Sequence, residues 1–468
     1  MTDDEVIAER PSGKVSKVVG LYQTLLRRFL EHFFPDATLE AVGDRSHIGW
    51  GDALSRANFR LADDPGGLGV ELEWFRNHYV LNPGSPSPFL PTERRLIAAT
   101  GRVLDRRFRA LFDAEAADRE DMFHYAVEDQ VVAEYLGTPD PMRIPAALEA
   151  LRVAALSTYE NRRVSTGVLL LGTDGDPGSP GRVNMPGAPR YGVRLSAIKS
   201  FHRICDGSRT VFVVDRAGDL AWPVDIQKWA ERVHGGEPLE QPNAREYLSH
   251  ACASRRSGHV VLVLSPSQEI KVFSEGACAF TFSDARWRLQ DTPTKYASWC
   301  RAVGPMCASD LAGRIFRAAL NLGEQRHGAL FVVLRDPDRS VPQLVAPGDR
   351  IVEDVVADDP EDPDNLSPRL AKRSLHHLVR GRTIGDLDDT VLEALAGIDG
   401  ALVTDTDGRL LSIGAILRVA PDTVLNARAV EGARTTAALA ASFHGPTLKV
   451  SEDGFLTMFL GGRRVWEL

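Results

Sequence analysis

Three short stretches near the C-terminus carry the side chains best suited to chemistry. They are Asp399-Gly400-Ala401, Gly432-Ala433-Arg434-Thr435-Thr436 and Ser451-Glu452-Asp453-Gly454. The middle stretch reads as a glycine followed by the first turn of a small-residue helix within 431–442. Such a helix start aims backbone N–H groups and a positive dipole end at whatever lies in front of it, and phosphate is the natural guest. A cation in a first helical turn opposes that dipole, so Arg434 calls for a compensating anion. Taken alone, Asp399 reads as a turn residue ahead of a strand. Glu452 and Asp453 serve equally as turn formers and as ligands.

Other candidates carry less. His376 and His377 are adjacent on an expected helix, and neighbouring helical positions do not share a face, so metal binding there is not expected. Asp174 and Asp176 lie in a Gly/Pro-rich loop, 173–182, that lacks the later ligands and closing Glu of a calcium loop. No G-x-x-x-x-G-K-[ST], H-E-x-x-H or G-x-S-x-G is present, which removes the P-loop, zincin and α/β-hydrolase readings. The five cysteines (Cys205, Cys252, Cys278, Cys300 and Cys307) have no C-x-x-C spacing and read as reduced, packed thiols.

The elements that must position these residues follow from periodicity. The expected fold class is α/β, in three parts. Residues 1–150 read as mainly helical: apolar residues recur at helical spacing from Val15 to Phe34, Thr92 after Pro91 suits an N-cap, and a further helix runs from Arg119 to Leu136 before Gly137. Residues 151–305 read as a central α/β region, with strands expected at 210–215 and 259–264 and a hairpin at 270–282 turning on Glu275-Gly276. Residues 306–468 read as a mixed sheet flanked by helices. Asp310 is the expected cap of a helix whose Leu311, Ile315, Phe316, Ala319 and Leu322 share one face, and GALFVVL (328–334) is a buried strand. An acidic stretch, 353–364, reads as a solvated loop, and Ser367-Pro368 opens a helix that Gly381 ends. Asp407-Gly408 and Ser451–Gly454 each turn a hairpin.

Composition sets outer limits. A chain of 468 residues with 43% apolar content can bury more than one core, and 25% charged residues exclude wholesale disorder. A net charge of −9 argues against a dedicated duplex-DNA or anionic-membrane binder, which needs a basic face. No run approaches the ~18–20 apolar residues of a membrane-spanning helix. The start, MTDDEVIAERPSGK, lacks the layout of a signal peptide, so a cytoplasmic protein is expected.

Read in order, residues 306–468 resemble the catalytic domain of diadenylate cyclases (the DisA or DAC type). An E-R-x-G-A-L strand start is met by GEQRHGALFVVL at 323–334, and an Asp-Gly-Ala strand start by Asp399, Gly400 and Ala401. A Gly-Thr-Arg-His-Arg-Ala-Ala helix start is met by Gly432 to Ala438, and a V-S-E-E-x-G turn by Val450 to Gly454. The resemblance implies that Asp399 holds a divalent metal, Mg²⁺ or Mn²⁺, with Asp453 as a further ligand. It implies that Gly400, Ala401, Gly432, Arg434, Thr435, Thr436, Ser451 and Glu452 line a nucleotide site. The chain departs from the pattern where charge matters. Thr435 and Thr436 replace His and Arg, Ile398 replaces a His, and Asp453 replaces a Glu. A hydroxyl neutralises no phosphate charge, and comparable arginine contributions reach ~10³–10⁵ in rate.

That thinning is similar to the degenerate DACNV-type sensor proteins of bacteria. It implies a nucleotide or cyclic-dinucleotide sensor in defence signalling. The alternative is a working diadenylate cyclase that makes cyclic di-AMP from two ATP, and a third reading is a non-enzymatic scaffold whose N-terminal helices bind a protein partner; a homo-oligomer is a further partner expectation. Cys205-Asp206-Gly207-Ser208 also echoes Ile398-Asp399-Gly400-Ala401, either as two ordinary strand starts or as a sign that the central region is a more diverged cyclase-like half.

Overall fold

The computed structural model describes residues 12–42, 58–62, 68–84, 88–113, 119–137, 142–172, 187–198, 200–234, 237–255, 258–304, 310–351, 375–419 and 432–468. The loops at 173–182 and 353–364, the helix start at Ser367-Pro368, and Cys307 lie outside them. The fold is α/β, and the chain forms two compact units. One comprises residues up to Glu237 together with Ser249–Gln290; the other comprises Pro238–Leu248 and Asp291–Leu468.

The first unit opens with a helix, Ser12–Phe33, whose Tyr22, Leu26, Phe29 and Leu30 are buried. The segment after it adds a sheet that the reading of residues 1–150 as mainly helical did not include. Strands β1 (Thr38–Val42), β2 (Arg60–Ala62), β3 (Val70–Trp74) and β4 (Asn77–Asn82) form an antiparallel sheet in the order β1-β4-β3-β2. The period-2 signal is present in β3, where Val70, Leu72 and Trp74 are buried and Glu71 is exposed. The turn signal is not, because Phe75 and Arg76 make the hairpin turn at φ 53° and 59°, where Asn or Gly is the usual choice.

Helix Pro91–Ala110 follows. Its cap is Leu90 and Pro91 is its first residue, so Thr92 lies inside it; the Glu93 carboxylate accepts from the Leu90 N–H at 2.8 Å. The helix expected from Arg119 to Leu136 is two, Arg119–His124 and Val127–Leu136, the second ending at Gly137 with φ 66°. Helix Arg143–Ala155 leads through the short strands β5 (Thr158–Tyr159) and β6 (Arg162–Arg163) into the main sheet. That sheet contains β7 (Thr166–Leu170), β8 (Thr210–Val214), β9 (Leu220–Asp225), β10 (Val260–Leu264), β11 (Ile270–Ser274), β12 (Ala277–Ser283) and β13 (Arg286–Leu289). Their order is β13-β12-β11-β10-β7-β8-β9, with β7 and β8 parallel. Among the described cysteines, Cys205, Cys252, Cys278 and Cys300 are free thiols.

The second unit is layered. Strands β14 (Ala329–Leu334), β15 (Ala401–Asp405), β16 (Leu410–Ala415), β17 (Thr447–Val450), β18 (Leu456–Leu460) and β19 (Arg463–Glu467) pair in the order β16-β15-β14-β17-β18-β19. On one face Phe331 and Val333 pack with Ile315, Phe316 and Leu392, from helices Leu311–Glu324 and Asp389–Ala396. On the other, Leu330, Val332 and Leu334 pack with Ala438 and Ala441, from helix Ala433–Ala441. Both faces of β14 are covered, so its apolar run is unbroken.

Asp310 does not cap its helix. It sits at φ 68° and its carboxylate turns to Arg317 Nη2 at 2.8 Å. Gly381, at φ 69°, does follow a helical turn at 375–379, in which His376 is buried and His377 exposed. The segment Pro238–Leu248 is built into this unit. The Arg245 N–H donates to Asn321 Oδ1 at 2.7 Å, and its guanidinium meets Glu393 at 2.6 Å.

Candidate functional site

Helix Asp389–Ala396 delivers the Asp399 loop to the start of β15. Arg314 fixes its start by donating to the Gly385 and Leu387 carbonyls and to Asp389. His327 Nε2 donates to the Gly397 carbonyl at 3.2 Å and so ties the approach to β14 to the end of that helix. Gly400 then turns at φ 116°, and a Cβ there would stand 2.4 Å from the backbone carbon of Gly414. Only glycine lets β16 approach so closely. Ala401 is buried and begins β15 opposite Ala415.

Gly432 caps helix Ala433–Ala441 in an extended conformation, and its carbonyl accepts from the Thr435 and Thr436 N–H groups. Ser451 builds the β17–β18 turn, where its Oγ accepts from the Phe455 N–H at 3.1 Å. Gly323 seats that turn, because a Cβ on it would come within 2.9 Å of the Gly454 carbonyl oxygen.

These pieces converge on Arg434. Its Nη2 lies 3.9 Å from Asp399 Oδ1 and its Nη1 3.5 Å from Glu452 Oε1. The two carboxylates are the anions that a cation in a first helical turn requires. Arg434 is about one-third exposed, whereas Asp399 is fully exposed at 103% and Glu452 at 76%. Ion pairs this open contribute little, so a better anion can displace either partner. Asp453 is exposed in the same turn, and Thr436 is half-buried on the helix.

A second cation escaped the sequence reading. Lys449 on β17 donates from Nζ to Thr435 Oγ1 at 2.9 Å, which sets an ammonium beside that hydroxyl. The available signal was a lysine inside the strand TLKV, whose other residues are buried.

Among the described residues, no three His, Cys, Asp or Glu side chains gather as a metal-ligand group. A divalent ion that travels with nucleotide phosphates needs only one or two carboxylates, and Asp399 offers one to solvent. Asp399 and Glu452 both face a guanidinium, which opposes a bare cation held between them. Among the described residues, no helix is long and apolar enough to cross a membrane.

No protein-family profile and no curated protein matches the chain. Solved structures similar to the chain include two that match about a third of it. One is a hypothetical membrane spanning protein from Bacillus cereus, at 20% identity and TM-score 0.26, covering 36% of this chain and 69% of that one. The other is DacA from Staphylococcus aureus, in the form of a double cysteine mutant, at 15% identity and TM-score 0.21, covering 32% and 82%. Similarities at these scores support no inference about this chain.

Proposed function

We propose that the C-terminal unit is a nucleotide or cyclic-dinucleotide sensor whose phosphates are held by Arg434 and Lys449. The observation that carries this reading is the convergence of Asp399 and Glu452 on Arg434, at 3.9 and 3.5 Å, from three stretches separate in sequence. The guanidinium is held by weak, solvent-open pairs, so it can exchange them for bidentate phosphate contacts, which are stronger and geometrically matched. Lys449 adds a point charge behind Thr435.

Turnover is a separate requirement. Thr435 and Thr436 bring no charge to a leaving pyrophosphate, and Arg434 is shared with two carboxylates. Asp399 would take up Mg²⁺ or Mn²⁺ only together with a triphosphate, and the ion would supply charge neutralisation at the phosphates. Binding without efficient reaction is the behaviour this arrangement favours.

Thermal-shift titration with ATP, AMP and cyclic di-AMP in EDTA tests the sensor. A ligand at 100 times its Kd adds ~2.7 kcal/mol of stability, and Arg434→Ala is expected to remove that gain. Accumulation of cyclic di-AMP from ATP and Mn²⁺, followed by chromatography, would replace the sensor with a working cyclase. Silence in both assays would leave a scaffold.

A further inference from the structure

The two main sheets share more than a class. In each, one central strand pairs in parallel with the strand that follows it (β7 with β8, β14 with β15) and antiparallel with a strand on its other side (β10, β17). The parallel neighbour then turns back as an antiparallel edge strand, β9 or β16. The registers agree as well. In the first unit Phe212, Val168, Leu262, Val272 and Phe280 lie opposite one another across the sheet. In the second, Leu402, Phe331, Leu448, Met458 and Trp466 do the same. Each row is buried in its own unit's core.

The turns repeat too. Asp215 Oδ1 accepts from the Asp219 N–H at 2.9 Å, with Gly218 at φ 86°; Asp405 Oδ1 accepts from the Arg409 N–H at 2.9 Å, with Gly408 at φ 80°. Ser265 Oγ accepts from the Glu269 N–H at 3.1 Å, and Ser451 Oγ from the Phe455 N–H at 3.1 Å. Gln268 takes the left-handed place that Gly454 holds, at φ 69° against 92°. Even the helix ends correspond. Ser254 Oγ donates to the Ala251 carbonyl and accepts from the Gly276 N–H, while Ser442 Oγ donates to the Leu439 carbonyl and accepts from the Gly462 N–H.

The agreement stops at the ligand edge. Asp206-Gly207 stands three residues further from its turn aspartate than Asp399-Gly400 does, with 208–214 intervening in one case and 401–404 in the other. That extra chain folds onto Asp206, whose Oδ1 accepts from the N–H groups of Ser208, Arg209 and Thr210 at 3.0, 2.7 and 3.0 Å. His250, buried, sets Nε2 2.7 Å from the Gly207 carbonyl oxygen, against the loop whose counterpart is open at Asp399. Counted back equally from the paired serines, the place of Arg434 falls on Glu246, an anion in the segment 238–248 that is built into the second unit, so the first unit has no cation of its own there.

We infer that the chain is an internal duplication of one sheet-and-helix unit, in which the second copy alone keeps a phosphate-binding edge. The first copy keeps the frame and has closed its edge with its own backbone and an imidazole. The single-site part of this inference rests on the nucleotide reading of the second unit; the duplication does not.

Calorimetric titration of the full chain with ATP in EDTA counts the sites. The expected result is one ATP per chain, lost in Arg434→Ala and retained in Asp206→Asn. Two ATP per chain, or one that Asp206→Asn removes and Arg434→Ala leaves, overturns the closed first edge. Absence of binding by ATP, AMP and cyclic di-AMP alike to the parent chain overturns the nucleotide reading and the single site together. The duplication is then decided by giving the first unit's turn the sequence of the second, as P266E/S267D/Q268G. A common frame predicts cooperative unfolding with a Tm within about 4 °C of the parent, or above it. A larger fall, or loss of the cooperative transition, overturns it.

Discussion

Gly328 and Arg434 share one place: a Cβ on Gly328 would stand 2.0 Å from Nη1 of Arg434. The glycine ahead of β14 therefore provides the room in which the guanidinium meets Asp399 and Glu452. A strand start and a helix start more than a hundred residues apart are fitted to each other by one missing methyl group.

Replacing Gly328 by alanine should therefore move the guanidinium while leaving the sheet intact. The expected outcome is a loss of about tenfold in ATP affinity, equivalent to ~1.4 kcal/mol, with cooperative unfolding preserved. Calorimetry of G328A beside the parent chain checks it. Unchanged affinity would mean that the position of the guanidinium beside Gly328 is not the one that holds the phosphate.

Glu452 competes with phosphate for the same cation. Glu452→Gln should raise ATP affinity in EDTA by up to about fivefold, the equivalent of the ~0–1 kcal/mol that an exposed pair contributes. A fall in affinity would instead assign Glu452 to the ligand, through a ribose hydroxyl.

Gly400 and Gly432 read alike in the sequence, and the structure separates them. Gly400→Ala would place a Cβ 2.4 Å from the Gly414 backbone at φ 116°, so a destabilisation of at least ~1–2 kcal/mol is expected. Gly432 has nothing within 4 Å of its added Cβ and an ordinary extended conformation, so Gly432→Ala should cost ~1 kcal/mol or less. Thermal unfolding of the two variants gives the order directly.

Burial holds the imidazoles of His250 and His202 below their ordinary value, although the Gly207 carbonyl and Asp206 pull His250 the other way. Both are neutral in the folded chain. The unfolded chain takes up protons below about pH 6.5 that the folded chain resists, so stability is complete above that pH and falls below it. Each group can contribute a slope approaching ~1.4 kcal/mol per pH unit. Melting curves between pH 7.5 and 5.5 should show the loss, and His250→Gln should flatten it. A parent chain with no decline across that range would contradict the assignment.

Legibility in the sequence followed the strength of local chemistry. GALFVVL reads as a doubly covered strand because no polar residue interrupts it, and Asp407-Gly408 reads as a turn because its glycine meets a positive φ. The Phe75-Arg76 hairpin is illegible for the opposite reason: tertiary packing holds two residues in a conformation that their types do not announce. Asp310 misleads because the capping preference belongs to an extended backbone, and its backbone is left-handed. Within the site, Arg434 and Asp399 were legible as residues but not as a pair. Lys449 was missed because its one signal, a lysine in a short strand, gains a meaning only when the neighbouring helix is laid beside it.

The late-arriving partner of Arg245 is Glu393, 148 residues further along the chain. At about 5–20 residues per second, the ribosome takes roughly 7–30 s to supply it. During synthesis the stretch 238–248 must therefore wait undocked while the residues on either side of it can already fold. A protein cut after Gln290 would carry that stretch permanently without its berth, so separating the two units calls for rerouting the chain rather than dividing it.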